Sequence, residues 1–369
     1  MKVITTMIKK LNLKNIKCFS DLSLELENLN VLTGINSAGK STVIQALLLL
    51  RQAYDMNAEY SGLHLNGDLV MIGTGYDLLN RDSGEDIMEI DIECNSEKYC
   101  WKYQYDRNSD YQKLCESNLE GKELDSINLF KSTFAYISAE RLGPQRFYQQ
   151  SYHKVMEKND VGRSGEFFAD YLVERGLKDK VTNPYILKQN ISDVLIYQME
   201  AWLSEVSPGI RLYAEKYNDA GIVNVKYGVS AETFSPINVG FGISYVAPIV
   251  LSLLKAQKDD LVILENPEAH LHPKGQRKMG ELIALAAAGG AQIIVETHSD
   301  HLLNGIRLSV KNRNISKDNV RLNYFFQSIV DGSRVVHQKL SPAILEDGRL
   351  SSWPDGFFDE WDKALAELL

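Results

Sequence analysis

Residues 31–42 read Val-Leu-Thr-Gly-Ile-Asn-Ser-Ala-Gly-Lys-Ser-Thr, in which Gly34, Gly39, Lys40 and Ser41 have the spacing G-x-x-x-x-G-K-S. An apolar run at 29–32, which predicts a strand, precedes the motif, and 43–51, which predicts a helix, follows it. The glycines let the backbone wrap closely around phosphate oxygens, so that successive N–H groups and the helix N-terminus face negative charge. Gly34, Asn36, Ser37, Ala38, Gly39 and Thr42 would then line the cradle, Lys40 reach the outer phosphates and Ser41 a magnesium ion. The expectation is an α/β fold that binds a nucleoside triphosphate with Mg2+.

The remaining sequence has to supply a sheet around that strand, and 369 residues with 44% hydrophobic and 24% charged side chains suffice for a large buried core. A formal net charge of −9 argues against a surface that holds nucleic acid by bulk charge, although a local basic face leaves such binding possible. Cys18, Cys94, Cys100 and Cys115 form no C-x-x-C pair, and the chain starts without a signal-peptide pattern, so free thiols in a reducing cytoplasm are expected. Apolar runs such as 46–50 and 245–254 are too short for a membrane span.

Along the chain, 8–16 and 22–26 read as strands leading into the phosphate loop, and 61–75 as a loop. Residues 88–94 and 99–105 alternate with period two around a polar turn, which predicts an antiparallel hairpin. A strand at 134–137 runs into a polar loop whose Arg141, Gln145 and Arg146 are candidates for sensing a terminal phosphate. Segments 166–178 and 191–206 have helical spacing, and 210–213 with 222–227 flank a turn at 218–221. Gly240 and Gly242 open an apolar helix that runs to about 256, another start that offers backbone N–H groups to an anion. Asp331-Gly332 signals a hairpin between 320–327 and 334–340, and the aromatics between Trp353 and Trp361 read as a docked tail.

Two further strands end in polar residues. The run 261–265 is apolar up to Glu265, and a second strand of a triphosphate site must bring an acid to the magnesium, which assigns Glu265 that role. Residues 292–296 lead into Thr297-His298-Ser299, where His298 is placed to hydrogen-bond the terminal phosphate or the attacking water.

Gly34-x-Asn36-x-x-Gly39-Lys40-Ser41-Thr42, the pair Gly240 and Gly242 before a helix, the segment Leu264-Glu265-Asn266-Pro267-Glu268-Ala269-His270-Leu271-His272-Pro273, and Thr297-His298-Ser299 together resemble ABC-type ATPase heads. The resemblance is to the group that includes the SMC and RecF proteins and the ATPases of overcoming-lysogenization-defect nucleases. Trp353-Pro354-Asp355-Gly356-Phe357-Phe358 looks like the tail of a subgroup of prokaryotic ATPases with a small C-terminal domain of unknown function. Members of this wider group recur in anti-phage systems, often with a separate nuclease.

The resemblance implies an α/β, ABC-type P-loop ATPase head with a mixed sheet, an antiparallel β subdomain and a helical lobe. Residues 1–60 and 235–340 would form the ATPase core, 61–234 inserted hairpins and the helical lobe, and 341–369 the tail domain. It also implies ATP held between two heads, with Lys40, Ser41, Glu265 and His298 from one and the Gly240, Gly242 and Ser244 segment from the other. The position after the magnesium acid normally holds a glutamate that activates water, and here it is Asn266. An amide cannot take that proton, so turnover should be slow unless Glu268 or a partner residue substitutes. His270 and His272 fall in what resembles the family's dimer-contacting loop.

These features favour an ATP-dependent dimeric switch that controls a partner nuclease or toxin in a prokaryotic defence system. A RecF-like DNA-binding repair ATPase is the alternative, and the acidic balance weighs against it. A self-contained nuclease is third, because no Asp-x-Asp cluster follows His298.

Overall fold

The computed structural model of the chain describes residues 6–95, 97–229, 232–330, 334–354, 356–358 and 360–368. Alternation near the N-terminus becomes an antiparallel pair, β1 (Lys10–Ile16) and β2 (Phe19–Glu25), with Leu11 opposite Leu24 and Leu13 opposite Leu22. The phosphate-loop strand β3 (Leu29–Gly34) and helix α1 (Lys40–Asp55) follow. Next come β4 (Gly62–His64), α2 (Gly75–Leu78), β5 (Ile87–Cys94), β6 (Glu97–Gln104), β7 (Tyr111–Ser117), β8 (Ala135–Ile137) and β9 (Tyr148–Gln149). A helical stretch, α3 (Phe168–Arg175) and α4 (Leu195–Leu203), leads to β10 (Ile210–Tyr217), β11 (Ile222–Val229) and β12 (Glu232–Phe234). Helix α5 (Phe241–Lys255), β13 (Leu261–Glu265), α6 (Pro273–Ala288), β14 (Gln292–Glu296) and α7 (Asp300–Lys311) then alternate. The hairpin β15 (Val320–Val330) and β16 (Arg334–Leu340) and helix α8 (Glu360–Leu368) end the described chain.

The central sheet has the order β16-β15-β3-β14-β13-β8, parallel from β15 to β8 with β16 antiparallel at one edge. Of its strands, β3, β8, β13 and β14 are buried on both faces, so they read as largely apolar runs. Leu29, Val31, Val262, Leu264, Ile293 and Val295 pack into a core shared with α5, α6 and α7. Their alternating neighbours Leu32, Leu261, Ile263 and Ile294 face the opposite core, shared with α1 and the antiparallel sheet β2-β1-β5-β6-β7-β4. The third sheet, β10-β11-β12 with β9 beside β11, packs against α3 and α4. Helices α6 and α7 touch backbone to backbone: a Cβ on Gly280 would lie 2.1 Å from the Leu302 carbonyl oxygen, and one on Gly305 2.1 Å from that of Arg277.

Two elements depart from the sequence expectation. The stretch read as a loop at 61–75 contains β4, which pairs with β7, a strand the sequence reading left unassigned. Leu63 and Leu65 in that stretch are fully buried, so tertiary packing overrides its polar, glycine-bearing composition. The Asp331-Gly332 turn lies outside the described residues, but its flanking strands pair in antiparallel register from Val330 opposite Arg334 to Tyr324 opposite Leu340. In the tail, Phe357 is buried edge-on against Tyr324 and Trp353, as a docked segment requires. Asp355, Asp359 and the Trp361 side chain lie outside the description. Among the described residues, no helix is long and apolar enough to cross a membrane.

Candidate functional site

The phosphate loop is bent by residues in the left-handed region: Gly34 has φ 134°, Ser37 62° and Gly39 110°. Gly34 and Gly39 are also held by space. A Cβ on Gly34 would come 1.9 Å from the Phe325 carbonyl oxygen of β15, and one on Gly39 2.3 Å from the Phe19 ring. Asn36, Ser37 and Ser41 are exposed along the loop, while Ala38, Lys40 and Thr42 are buried. Lys40 Nζ donates to the carbonyls of Gly34 and Ile35 at 3.0 and 2.9 Å, which folds the ammonium over the cradle. Burial lowers its pKa and the neighbouring Glu296 charge opposes that shift. From the C-terminal hairpin, Gln327 Nε2 donates to the Ser37 carbonyl at 2.9 Å, and His337 Nδ1 lies 3.3 Å from that of Ala38.

Strand order decides which acids meet this loop. Strand β14 lies between β3 and β13, with Glu296 directly opposite Glu265 on one side and Leu32 on the other. The Ser41 hydroxyl donates to Glu296, with Oγ to Oε2 and Oε1 distances of 3.0 and 3.2 Å. Glu265, which the strand-end pattern assigns to the magnesium, ends the next strand, and its Oε2 accepts from the Ala139 N–H at 2.9 Å. Glu268, buried, accepts from the His298 N–H at 2.8 Å. Burial raises the pKa of all three carboxyls. That of Glu296 is pushed up to about 7, with the Glu265 charge as the next cause. The His298 imidazole is shifted the opposite way, its pKa lowered by partial burial and then by the Lys40 charge.

Asn266 adopts φ 44°, a conformation that asparagine tolerates better than most residues, and its N–H donates to the Glu296 carbonyl at 2.9 Å. Its Oδ1 and the Glu268 Oε2 are buried without a protein hydrogen-bond partner. The expectation that Arg141 senses a phosphate is overturned. Its guanidinium is buried, donating to the carbonyls of Ser138, Glu265 and Asn266 at 2.6, 2.6 and 2.7 Å, and so clamps the ends of β8 and β13. Gln145 is half-buried and Arg146 exposed on the same loop.

At the start of α5, a Cβ on Gly242 would meet the His270 carbonyl oxygen at 2.8 Å, while the space around Gly240 is open. Ser244, expected at the surface of this segment, is instead buried, with the hydroxyls of Tyr148 and Tyr227 beside it. Helical geometry turns it inward, and Phe241, 61% exposed, is the side chain the helix presents. His270 packs on Tyr245 with ring centroids 4.4 Å apart, and His272 caps α6 by accepting from the Lys274 N–H.

Sequence reasoning gave no role to Glu296, Gln327 or His337. A carboxylate immediately before Thr297-His298-Ser299 was the one available signal for Glu296. The other two come from a hairpin that only the fold brings to the loop. The cleft between these groups has a volume of about 920 Å³, with Tyr76 and Asn80 at its far wall, enough for a nucleoside triphosphate. The residues fit that ligand with Mg2+: a loop whose glycines are pressed too closely against Phe325 and Phe19 to carry a Cβ, a lysine folded over it, and a hydroxyl joined to a carboxylate.

Comparison with known proteins agrees. Residues 29–304 match the family described as "AAA domain, putative AbiEii toxin, Type IV TA system", and residues 315–368 match one described as a protein of unknown function (DUF3696). A search of curated proteins gives no match. Among solved structures, the chain is similar to an SMC head bound to the C-winged helix domain of ScpA, at 15% identity over 91% of this chain and 98% of that one, with a TM-score of 0.51. It is also similar to the Smc head domain with an extended coiled coil, bound to the C-terminal domain of ScpA, derived from Pyrococcus furiosus. There the identity is 14% over 99% of this chain and 100% of that one, with a TM-score of 0.50. At such identities the likeness establishes the fold, that of an SMC-type head. The chain therefore belongs to the AbiEii-type AAA family, has the fold of an SMC-type head, and matches DUF3696 over residues 315–368.

Proposed function

We propose that the chain binds ATP with Mg2+, hydrolyses it slowly, and acts as a homodimeric switch that regulates a separate effector, a nuclease or toxin, in a prokaryotic defence system. The reading rests on the end of β14 lying beside the phosphate loop, which brings Glu296 and His298 to the cleft with Lys40 and Ser41, and on Glu268 and Asn266 just behind them, joined to the His298 N–H and the Glu296 carbonyl. Bound Mg2+ would neutralise charge on the triphosphate, and Ser41 and a strand-end carboxylate are the groups that would hold it. His298, which lines the cleft, would hydrogen-bond the terminal phosphate. Asn266 cannot accept a proton from water, which leaves Glu268, with its unpartnered Oε2, as the remaining candidate base.

The Gly240–Phe241–Gly242 corner supports a shared site, since it opens α5 with an exposed aromatic and does not line the cleft of the phosphate loop of the same chain. The family's toxin–antitoxin description supports the defence context. Residues 1–60 with 235–340 are read as the ATPase core, 61–234 as the insert, although it lends β8 to the central sheet, and 341–369 as the tail domain. Light scattering with and without MgATP tests the switch. The expected outcome is a dimer that forms with MgATP and is lost in Lys40→Ala and Phe241→Glu. A monomer that binds MgATP without associating would refute the shared site.

A further inference from the structure

We infer that the cavity between α1, the edge strand β8 and the segment 153–163 is a second ligand site, built for a small aromatic phosphate. It lies outside the nucleotide cleft and shares no lining residue with it.

The place follows from sheet topology. Strand β8 ends the central sheet, so its outer edge has no strand of that sheet beside it. The segment after β9 covers that edge instead: the Ser138 N–H donates to the Arg163 carbonyl at 2.8 Å, and the Leu142 N–H to that of Ser164 at 2.9 Å. Between this cover and α1 remains a cavity of about 350 Å³, within the range of small-molecule sites. A π-helical turn, His153–Glu157, contributes to its lining, and such turns are rare and frequent at functional sites.

Charge and shape select the ligand. Phe134, Tyr136 and Leu69 supply an apolar wall against which a ring can lie. Of the cationic side chains, Arg51 is paired with Asp55 at 2.9 Å and Lys154 with Asp160 at 4.0 Å. Among the described residues, Lys158 and Arg163 have no carboxylate within 4.0 Å, and the half-buried Arg163 guanidinium makes one long hydrogen bond, 3.4 Å to the Leu69 carbonyl. Most of its N–H donors are thus unused. A guanidinium fork and an ammonium match the double charge of a phosphate. The remaining acid, Asp68, is exposed, so the cavity keeps a positive balance.

The cavity also reaches the end of β13. Tyr136 lines it, and the Tyr136 hydroxyl stands beside the Glu265 carboxylate. Burial and then the Glu265 charge raise the pKa of Tyr136, and the Arg163 charge opposes them. An anion on Arg163 cancels that opposing charge and is read, through Tyr136, at the strand end that leads into Asn266. This coupling rests on the ATPase reading above, whereas the site itself does not.

The test uses the full chain saturated with a non-hydrolysable MgATP analogue, so that the phosphate loop is filled, and titrates phenyl phosphate by ligand-observed proton NMR. A Kd on the order of 1 mM is expected for so small a ligand, with inorganic phosphate and benzyl alcohol each about fivefold weaker or more. Arg163→Met should weaken phenyl phosphate about tenfold, and Arg163→Lys, which keeps the charge without the fork, about threefold. If Arg163→Met fails to fold, Lys158→Glu, which reverses a charge, should show the same loss. In a turnover assay without the analogue, phenyl phosphate should change the wild-type rate and leave that of Tyr136→Phe unaffected, although Tyr136→Phe still binds it. Binding that is absent, that survives Arg163→Met unchanged, or that vanishes once the analogue fills the phosphate loop overturns the site. Binding with no effect on wild-type turnover, or an effect that persists in Tyr136→Phe, overturns the coupling. A chain that takes no nucleotide yet binds phenyl phosphate through Arg163 overturns the ATP reading and leaves the second site standing.

Discussion

Replacing Arg141 with Met separates a structural clamp from a phosphate sensor. In the structure its guanidinium donates to three backbone carbonyls, those of Ser138, Glu265 and Asn266, at 2.6 to 2.7 Å, and it is 5% exposed. Methionine keeps much of the packing volume but none of the donors, so three carbonyls lose their charged partner. Each such hydrogen bond contributes about 1.5–3 kcal/mol net, and removal of one partner of a buried charged network costs about 3–5 kcal/mol. The desolvation cost recovered from the buried guanidinium, whose pKa burial lowers, offsets part of this, so a loss of about 3 kcal/mol is expected. Arg141→Lys, which retains the charge but not the planar fork, should lose roughly half as much. Urea denaturation followed by tryptophan fluorescence measures both, and the midpoint should fall with an unchanged slope. A loss below about 1 kcal/mol together with a large fall in ATP affinity would refute the clamp and restore the sensor.

Other substitutions probe separate parts of the fold. Gly280→Ala and Gly305→Ala each drive a methyl group against a facing carbonyl at 2.1 Å, and each should cost about 1–3 kcal/mol in urea denaturation, with the double mutant less than additive. Asn266→Gly should leave stability within a few tenths of a kcal/mol, whereas Asn266→Glu, forced to φ 44°, should lose about 1 kcal/mol yet speed ATP turnover in a phosphate-release assay; an unchanged or lower rate with ATP binding intact would show that Asn266 does not limit hydrolysis. Lys255 is buried with its pKa lowered to about 8 by desolvation, so the unfolded chain binds its proton more tightly than the folded one. Stability should therefore rise with pH between about 8 and 10.5, a slope that thermal melting should find reduced in Lys255→Met.

What the sequence disclosed depended on how local each requirement is. The phosphate loop is legible because its geometry is set within eight residues: two glycines in left-handed or crowded positions and a lysine that turns back on its own loop. The parallel strands are legible because burial on both faces leaves the interiors of β13 and β14 apolar. Which strand-end carboxylate meets Ser41 is not, since Glu265 and Glu296 both end apolar strands and only strand order shows which lies beside β3. Arg141 misleads for the same reason. An arginine in a polar loop looks available until its partners, 124 and 125 residues away in sequence, are known. Ser244 was misplaced by a rotation of the helix that glycine spacing cannot fix.

The two strands that flank β3 are both made late. β14 and β15 are synthesised long after the loop they enclose, and Gln327, which holds the Ser37 carbonyl, lies 290 residues downstream of it. At about 5–20 residues per second, a ribosome takes roughly 15–60 s to cover that distance. Throughout that interval the glycine motif is covalently complete but has no sheet to sit in, and Leu29, Val31 and Leu32 lack the neighbours that bury them. The support of the cradle is thus completed only once β15 has emerged, and a fragment that ends before it lacks both the strand fitted against Gly34 and the Gln327 contact to Ser37.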